Sequence, residues 1–306
     1  MSPDYPEFTV IVGSGRSGTT LLVRLFRQCL DIGIGAEPGL VVRLYRRLPR
    51  FGDLRQPGNL RRLVETIHAG SLFDYLHRRN IATTADEILA LVREPTYTGV
   101  LYAVFELIAR KRGKSRLGYK DPADVFHLPI LAELLPTARF VHIVRDGRDV
   151  ALSMLGFNRG PNNLYAACRY WERGVSKARA DGRLLGERYF ELRLEDLVTD
   201  TDRVAAQLGN FVNRGRDAAQ TAKLVERINE MKNHAAIDKW RKSLDRRQRF
   251  ICEAAAGETL RACGYATEFA ADIRLPRHQT AYYELEDFAL RVKNRLLRGL
   301  LTRPRR

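Results

Sequence analysis

No stretch of 18 apolar residues occurs anywhere in the 306-residue chain, so no membrane-spanning helix is expected. Cysteine is sparse: Cys29, Cys168, Cys252 and Cys263 are scattered, with no CxxC pair. That spacing excludes a zinc ribbon and predicts buried free thiols in a reducing compartment. The six histidines form no HxxxH or HExxH pair, and no structural metal is expected. The N-terminus, MSPDYPEF, has neither a basic nor an apolar leader region, and a secretory signal is not expected. Lysine is also scarce, since 43 of the 52 basic residues are arginine. The formal net charge is nevertheless +16. Such a balance suits an anionic ligand, an acidic acceptor or a membrane surface as well as a plain solvated face. The basic residues are dispersed and match no nucleic-acid reader motif, so no nucleic-acid partner is expected.

What is present is an alternation of apolar runs and helical spacing. FTVIV (8–12), DIGIGAEP (31–38), RLGYK (116–120), ARFVHIV (138–144) and the start of YFELRLEDL (189–197) read as strands. Helices are expected over 18–30, about 38–48, DVFHLPILAELL, from near Asp149 to about Leu155, NLYAACRYWERGVSKARA, and much of 202–262. Residues 50–115 carry helical spacing without a strand signal and read as a helical insertion. The insertion could line an acceptor cleft or serve packing alone. The pattern predicts an α/β fold, with a P-loop-like, mostly parallel sheet and helices on both faces. No linker or repeat is evident, so a single domain over 1–306 is expected, ending in a basic helical tail at about 281–306. The tail places Leu285, Phe288, Val292 and Leu296 on one helical face and carries seven basic and no acidic residues from Arg291 onward. Docking of that apolar face onto the body is the favoured expectation, with peripheral membrane contact as the alternative.

The first chemical motif is GSGRSGTT, residues 13–20, between the first strand and its helix. Strand, glycine loop and helix N-terminus together aim backbone N–H groups at an anion. Three ligands fit that outline. Gly13, Gly15 and Gly18 satisfy GxGxxG, with Glu37 placed nearly as a ribose-binding acid of a dinucleotide fold. However, Arg16 and the Thr19–Thr20 pair stand where such a turn carries small or apolar residues. Gly13 and Gly18 also have the spacing of a Walker A loop, but Thr19 occupies the place of its phosphate-binding lysine. The third ligand is a phosphosulfate, which would suit the loop: Arg16 supplies a cation, Thr19 and Thr20 supply hydroxyls, and a sulfuryl group needs no bridging metal.

The second motif, ARFVHIVRDGRDVALSML (138–155), is the more specific. A Walker NTPase closes the corresponding strand with an aspartate that helps hold Mg²⁺. Here Arg145 takes that place, and it attracts an anion instead. Ser153 lies eight residues on, a little over two helical turns, so the pair can clamp one more phosphate.

With both motifs in view, VIVGSGRSGTTLL resembles the 5′-phosphosulfate loop of sulfotransferases that use 3′-phosphoadenosine 5′-phosphosulfate (PAPS). FVHIVRDGRDVALSM resembles their 3′-phosphate-binding strand–turn–helix. YKDP (119–122), RYWERG (169–174), LRLEDLV (192–198) and DKWRKSL (238–244) recur in comparable order in bacterial members. The arrangement GSGRSGTT…GAEP…YKDP…IVRDGRD is also similar to the tyrosylprotein sulfotransferase branch and its bacterial relatives. The resemblance implies metal-free transfer of a sulfuryl group from PAPS to an acceptor. Gly15, Arg16, Ser17, Gly18, Thr19 and Thr20 would hold the phosphosulfate, and Arg145 and Ser153 the 3′-phosphate. Glu37 falls where that branch has its catalytic carboxylate, and Lys120 where it has a lysine near the leaving group. A carboxylate can take the acceptor's proton, and a cation beside the bridging oxygen stabilises the departing phosphate, so the chemistry agrees.

Two departures stand out. Leu194 occupies a position that is aromatic in many relatives, which argues against adenine stacking there, and no histidine stands at a motif position. Trp240, between Lys239 and Arg241, could close over the nucleotide or be a core residue. The expected acceptor is a carbohydrate or glycolipid hydroxyl, with peptide tyrosine second, in a cytoplasmic or membrane-peripheral protein. A P-loop kinase and a non-catalytic nucleotide-binding protein are the alternatives.

Overall fold

In the computed structural model, which describes residues 4–35, 40–155, 160–232, 234 and 237–301, five strands form one sheet in the order β2-β3-β1-β4-β5. They are β1 (Phe8–Val12), β2 (Ile32–Gly35), β3 (Arg116–Lys120), β4 (Ala138–Val144) and β5 (Tyr189–Arg193). β1 pairs in parallel with β3 and with β4, and β2 in parallel with β3. The chain forms two compact units, neither continuous in sequence. One comprises Met1–Gly13, Gly18–Ile143 and Ala178–Lys232, and the other Ser14–Ser17, Val144–Lys177 and Asn233–Arg306. The interleaving of these segments leaves no linker for a sequence reading to find.

In the first unit the sheet alternates with period two between two apolar cores. Phe8, Val10 and Val12 enter one, while Ile11 enters the other. The first core is closed by residues of the helices Pro57–His68, Ser71–His77 and Tyr97–Lys111, all from the stretch expected to be a helical insertion. The second is closed by Thr19–Cys29, Thr201–Asn213 and Ala218–Met231. Helices therefore cover both faces, as the apolar runs of a parallel sheet require. Tyr97–Lys111 lies so close to β2 that a Cβ on Gly33 would come within 2.4 Å of Ala109 Cα. Glycine is the residue that permits this approach.

Several boundaries differ from the sequence reading for local reasons. DVFHLPILAELL divides into a 3₁₀ turn, Pro122–Phe126, and a helix, Leu128–Leu134. Asp121 caps the turn by accepting from the Ala123 amide at 2.9 Å, and Pro129 opens the helix. After β5 the chain forms a short helix, Leu194–Thr199, where a turn is expected; Glu195 and Asp196 in its first turn suit the helix dipole.

The second unit has its own core, built around Trp171, Trp240, Val150 and Leu260. Its last helix, Arg277–Leu301, corrects the favoured expectation for the tail. Leu285, Phe288, Val292 and Leu296 are all exposed rather than docked. The helix is attached through a different side. Asp287, buried, accepts from the Asn162 amide at 2.7 Å, and Asn163 Nδ2 donates to the Tyr283 carbonyl at 2.7 Å. Hydrophobic spacing identifies an apolar stripe but cannot say what, if anything, it packs against.

Candidate active site

The carboxyl edge of the sheet carries the candidate residues of the first unit. β1 sits where the strand order changes direction, with β3 on one side and β4 on the other. Loops leaving the carboxyl ends of parallel strands at such a point are the usual ligand sites of open α/β sheets. Gly13 leaves β1 so close to β4 that a Cβ there would lie 2.5 Å from the Ile143 carbonyl oxygen. Gly18 ends the loop with φ +97° and precedes the helix Thr19–Cys29, which has no side-chain N-cap. Its first-turn N–H groups thus lack the usual internal acceptor, the condition for an anion-binding helix start. Thr19 is buried and Thr20 exposed at that start.

Lys120 closes β3 in register with Ile11 of β1, at the same carboxyl edge from which Gly13 departs. It is half-buried and has neither a hydrogen bond nor an ion pair among the described residues. Burial lowers its pKa; the charge of Asp121 opposes that shift and the charge of Arg27 adds to it. Beyond it, Asp124 is buried and hydrogen-bonded by Tyr119 Oη at 3.0 Å, with its pKa raised to about 7, chiefly by burial and then by Asp121. Glu37 lies outside the described residues. Leu194 is buried, with its Cδ1 3.1 Å from where a Gly18 Cβ would stand. The position is a packing element under the loop.

In the second unit the middle of the loop and the β4 turn come together. Arg16 adopts the left-handed region, φ 72°, uncommon for a residue with a side chain and a frequent mark of functional loops. Its Nε donates to Ser153 Oγ at 2.8 Å, and Arg145 Nη1 donates to the Arg16 carbonyl at 3.2 Å. Three residues drawn from two separate motifs therefore form one cluster. Arg16 is exposed, while Arg145 and Ser153 are part-buried. Gly15 lies against Met154: a Cβ on it would meet the Met154 methyl at 3.5 Å. The hydroxyls of Ser14 and Ser17 are buried without a hydrogen-bond partner among the described residues. Unsatisfied buried hydroxyls cost free energy, and an anion in the loop would satisfy them.

A buried, hydrogen-bonded shell that sequence reasoning missed holds the β4 turn. Trp171 Nε1 donates to the Arg145 carbonyl at 3.0 Å, and a Cβ on Gly147 would strike the Trp171 ring at 2.5 Å. Asp149, buried, pairs with Arg145 at 3.3 Å and accepts from the Trp240 amide at 2.8 Å. Burial raises the Asp149 pKa, against the opposing effects of the Trp240 amide and Arg145. Trp240, read from sequence as a nucleotide lid or a core residue, is fully buried, with the Arg148 guanidinium 3.5 Å and the Arg241 guanidinium 4.4 Å from its ring centroid. Arg148 is itself buried and ion-paired to Asp146 at 2.7 Å and Glu253 at 2.9 Å. Burial alone would lower its pKa, but Asp146 and Glu253 outweigh that and raise it. The tryptophans of RYWERG and DKWRKSL were the available signal: the Trp171 indole bonds the Arg145 carbonyl, and the Trp240 main-chain amide bonds Asp149.

The model of the Sulfotransferase family matches residues 9–217, about two thirds of the chain. The chain belongs to the sulfotransferase family. Solved structures agree on the fold. The sulfotransferase domain from the curacin biosynthetic pathway is similar at TM-score 0.53 and 19% identity, over 86% of this chain and 99% of that one. The sulfotransferase domain from the Synechococcus PCC 7002 olefin synthase is similar at TM-score 0.52 and 22% identity, over 85% and 97%. Among curated proteins none matches. The α/β class, the mostly parallel sheet and the assignment to an enzyme that transfers sulfuryl groups follow from family and fold together.

Proposed function

We propose that this sulfotransferase moves the sulfuryl group of PAPS to an acceptor hydroxyl, a carbohydrate or glycolipid in the first place and a peptide tyrosine in the second. The observation that carries the donor assignment is the Arg16–Ser153–Arg145 cluster, in which the Arg16 guanidinium donates to the Ser153 hydroxyl and the Arg145 guanidinium to the Arg16 main-chain carbonyl. The residues fit the nucleotide: the buried, unpartnered hydroxyls of Ser14 and Ser17 and the uncapped helix start supply donors for the 5′-phosphosulfate. Gly15, Gly18, Thr19 and Thr20 complete that loop, and Arg145 with Ser153 takes the 3′-phosphate. Trp240 is buried, and its main-chain amide holds Asp149 beside the β4 turn.

In the reaction the acceptor oxygen forms a bond to sulfur as the bond from sulfur to the bridging phosphate oxygen breaks. The hydroxyl proton passes to Glu37, and the products are a sulfate ester and adenosine 3′,5′-bisphosphate. Lys120, half-buried and unpaired among the described residues, stabilises the charge that builds on the departing phosphate. Arg16 serves the same developing charge from the loop. The proposal is tested by thermal unfolding of the purified protein with added nucleotides. Adenosine 3′,5′-bisphosphate should raise Tm well above the shift given by ATP with Mg²⁺ or by NAD⁺. A larger shift with ATP and Mg²⁺ would favour a kinase instead, and a larger one with NAD⁺ a dinucleotide-binding protein.

A further inference from the structure

We infer that the C-terminal helix Arg277–Leu301 is a docking surface for an anionic lipid bilayer. At 3.6 residues per turn, Phe288, Val292, Leu285, Leu296 and Tyr282 fall within about 60° of one direction. All five are exposed, from 41% for Val292 to 68% for Leu285. Tyr283, Asp287 and Asn294 occupy the opposite side and hold the helix to its own unit through Asn162 and Asn163. The apolar stripe therefore points away from the only side by which the described residues anchor the helix.

Charge selects the occupant. Lys293 and Arg295 are exposed and lie about 80° to either side of Leu285, at the two borders of the stripe. From Arg291 to the end the sequence has seven basic and no acidic residues. The acidic residues all fall in the earlier half, where Asp287 is paired with Arg291 at 2.6 Å and Glu286 accepts from Asn163 at 2.9 Å. An apolar stripe bordered by cations is the pattern that lies flat in the headgroup region, with each cation adding attraction to an anionic leaflet. A second copy packing stripe to stripe would bring two sets of these cations together, which disfavours self-association through this face. No helix among the described residues is long and apolar enough to cross a membrane, so the contact is with the surface. This inference does not depend on the identity of the donor or acceptor.

The test is sedimentation of the full chain with vesicles of phosphatidylcholine, with and without phosphatidylglycerol. Partitioning onto the phosphatidylglycerol vesicles should exceed that onto phosphatidylcholine at least ~10-fold and fall as salt is raised. The double variant Leu285→Ser/Phe288→Ser should lose at least ~10-fold of the binding, and Lys293→Glu/Arg295→Glu a comparable share. Both alter exposed side chains, and an unchanged Tm establishes that each variant is folded. Phe288→Trp should show a blue-shifted emission with the anionic vesicles alone. Equal binding to neutral vesicles, or binding that neither double variant weakens, overturns the inference. So does a concentration-dependent dimer that Leu285→Ser/Phe288→Ser abolishes, because the stripe then belongs to a second copy.

Discussion

Glu37→Gln is expected to lower turnover at least ~100-fold while leaving affinity for adenosine 3′,5′-bisphosphate nearly unchanged. The amide keeps the shape of the side chain but cannot accept the acceptor's proton as the new bond to sulfur forms. Glu37 follows β2 by two residues in sequence, and β2 ends at Gly35 in register with Tyr119, the residue before Lys120. β2 and β3 thus end side by side, with Lys120 closing the second. The diagnostic is a split between kinetics and binding: kcat collapses in a rate assay while a titration with the bisphosphate is unmoved. A variant that keeps its full rate would place the base elsewhere.

Arg148→Ala is expected to cost about 3–5 kcal/mol of stability, the range for removing one partner of a buried ion pair. Its guanidinium is 1% exposed and joins Asp146, Glu253 and the Ala266 carbonyl while lying over the Trp240 ring. Without it two carboxylates remain buried in the second unit and the support of the β4 turn is lost. Thermal unfolding should show Tm lower by roughly 10 °C. The exposed Arg16, changed to alanine, should lower Tm far less than Arg148→Ala, since exposed polar contacts contribute little. An Arg148→Ala protein as stable as the parent would show that the shell is ornamental to the fold.

The two arginines mark the limit of what the sequence made legible. Arg145 could be read because it replaces an expected acid at the end of an unmistakable strand. β1 and β4 are legible to the residue for the same reason, as short, mostly apolar runs bounded by glycine, proline or charge, and the bounds of β3, RLGYK, also agree. Arg148 resembles any surface arginine on a helix, because its partner Glu253 is 105 residues away and no local period connects them. Trp171 and Trp240 were visible as motif residues, but their contacts with the Arg145 carbonyl and the Asp149 carboxylate depend on tertiary packing. The contact between Arg16 and Ser153 likewise joins residues 137 apart that the family resemblance assigns to opposite ends of the nucleotide. For the tail the period was right and the destination wrong, since a stripe of leucines carries no information about its partner.

The central claim is that Arg145 and Ser153 are placed for a phosphate that adenosine diphosphate lacks. Calorimetric titration of the purified protein with adenosine 3′,5′-bisphosphate and with ADP, each repeated on Arg145→Ala, tests it most directly. The account predicts clearly tighter binding of the bisphosphate, and loss of most of that preference in the variant. Equal affinities for the two nucleotides in the parent protein would contradict it.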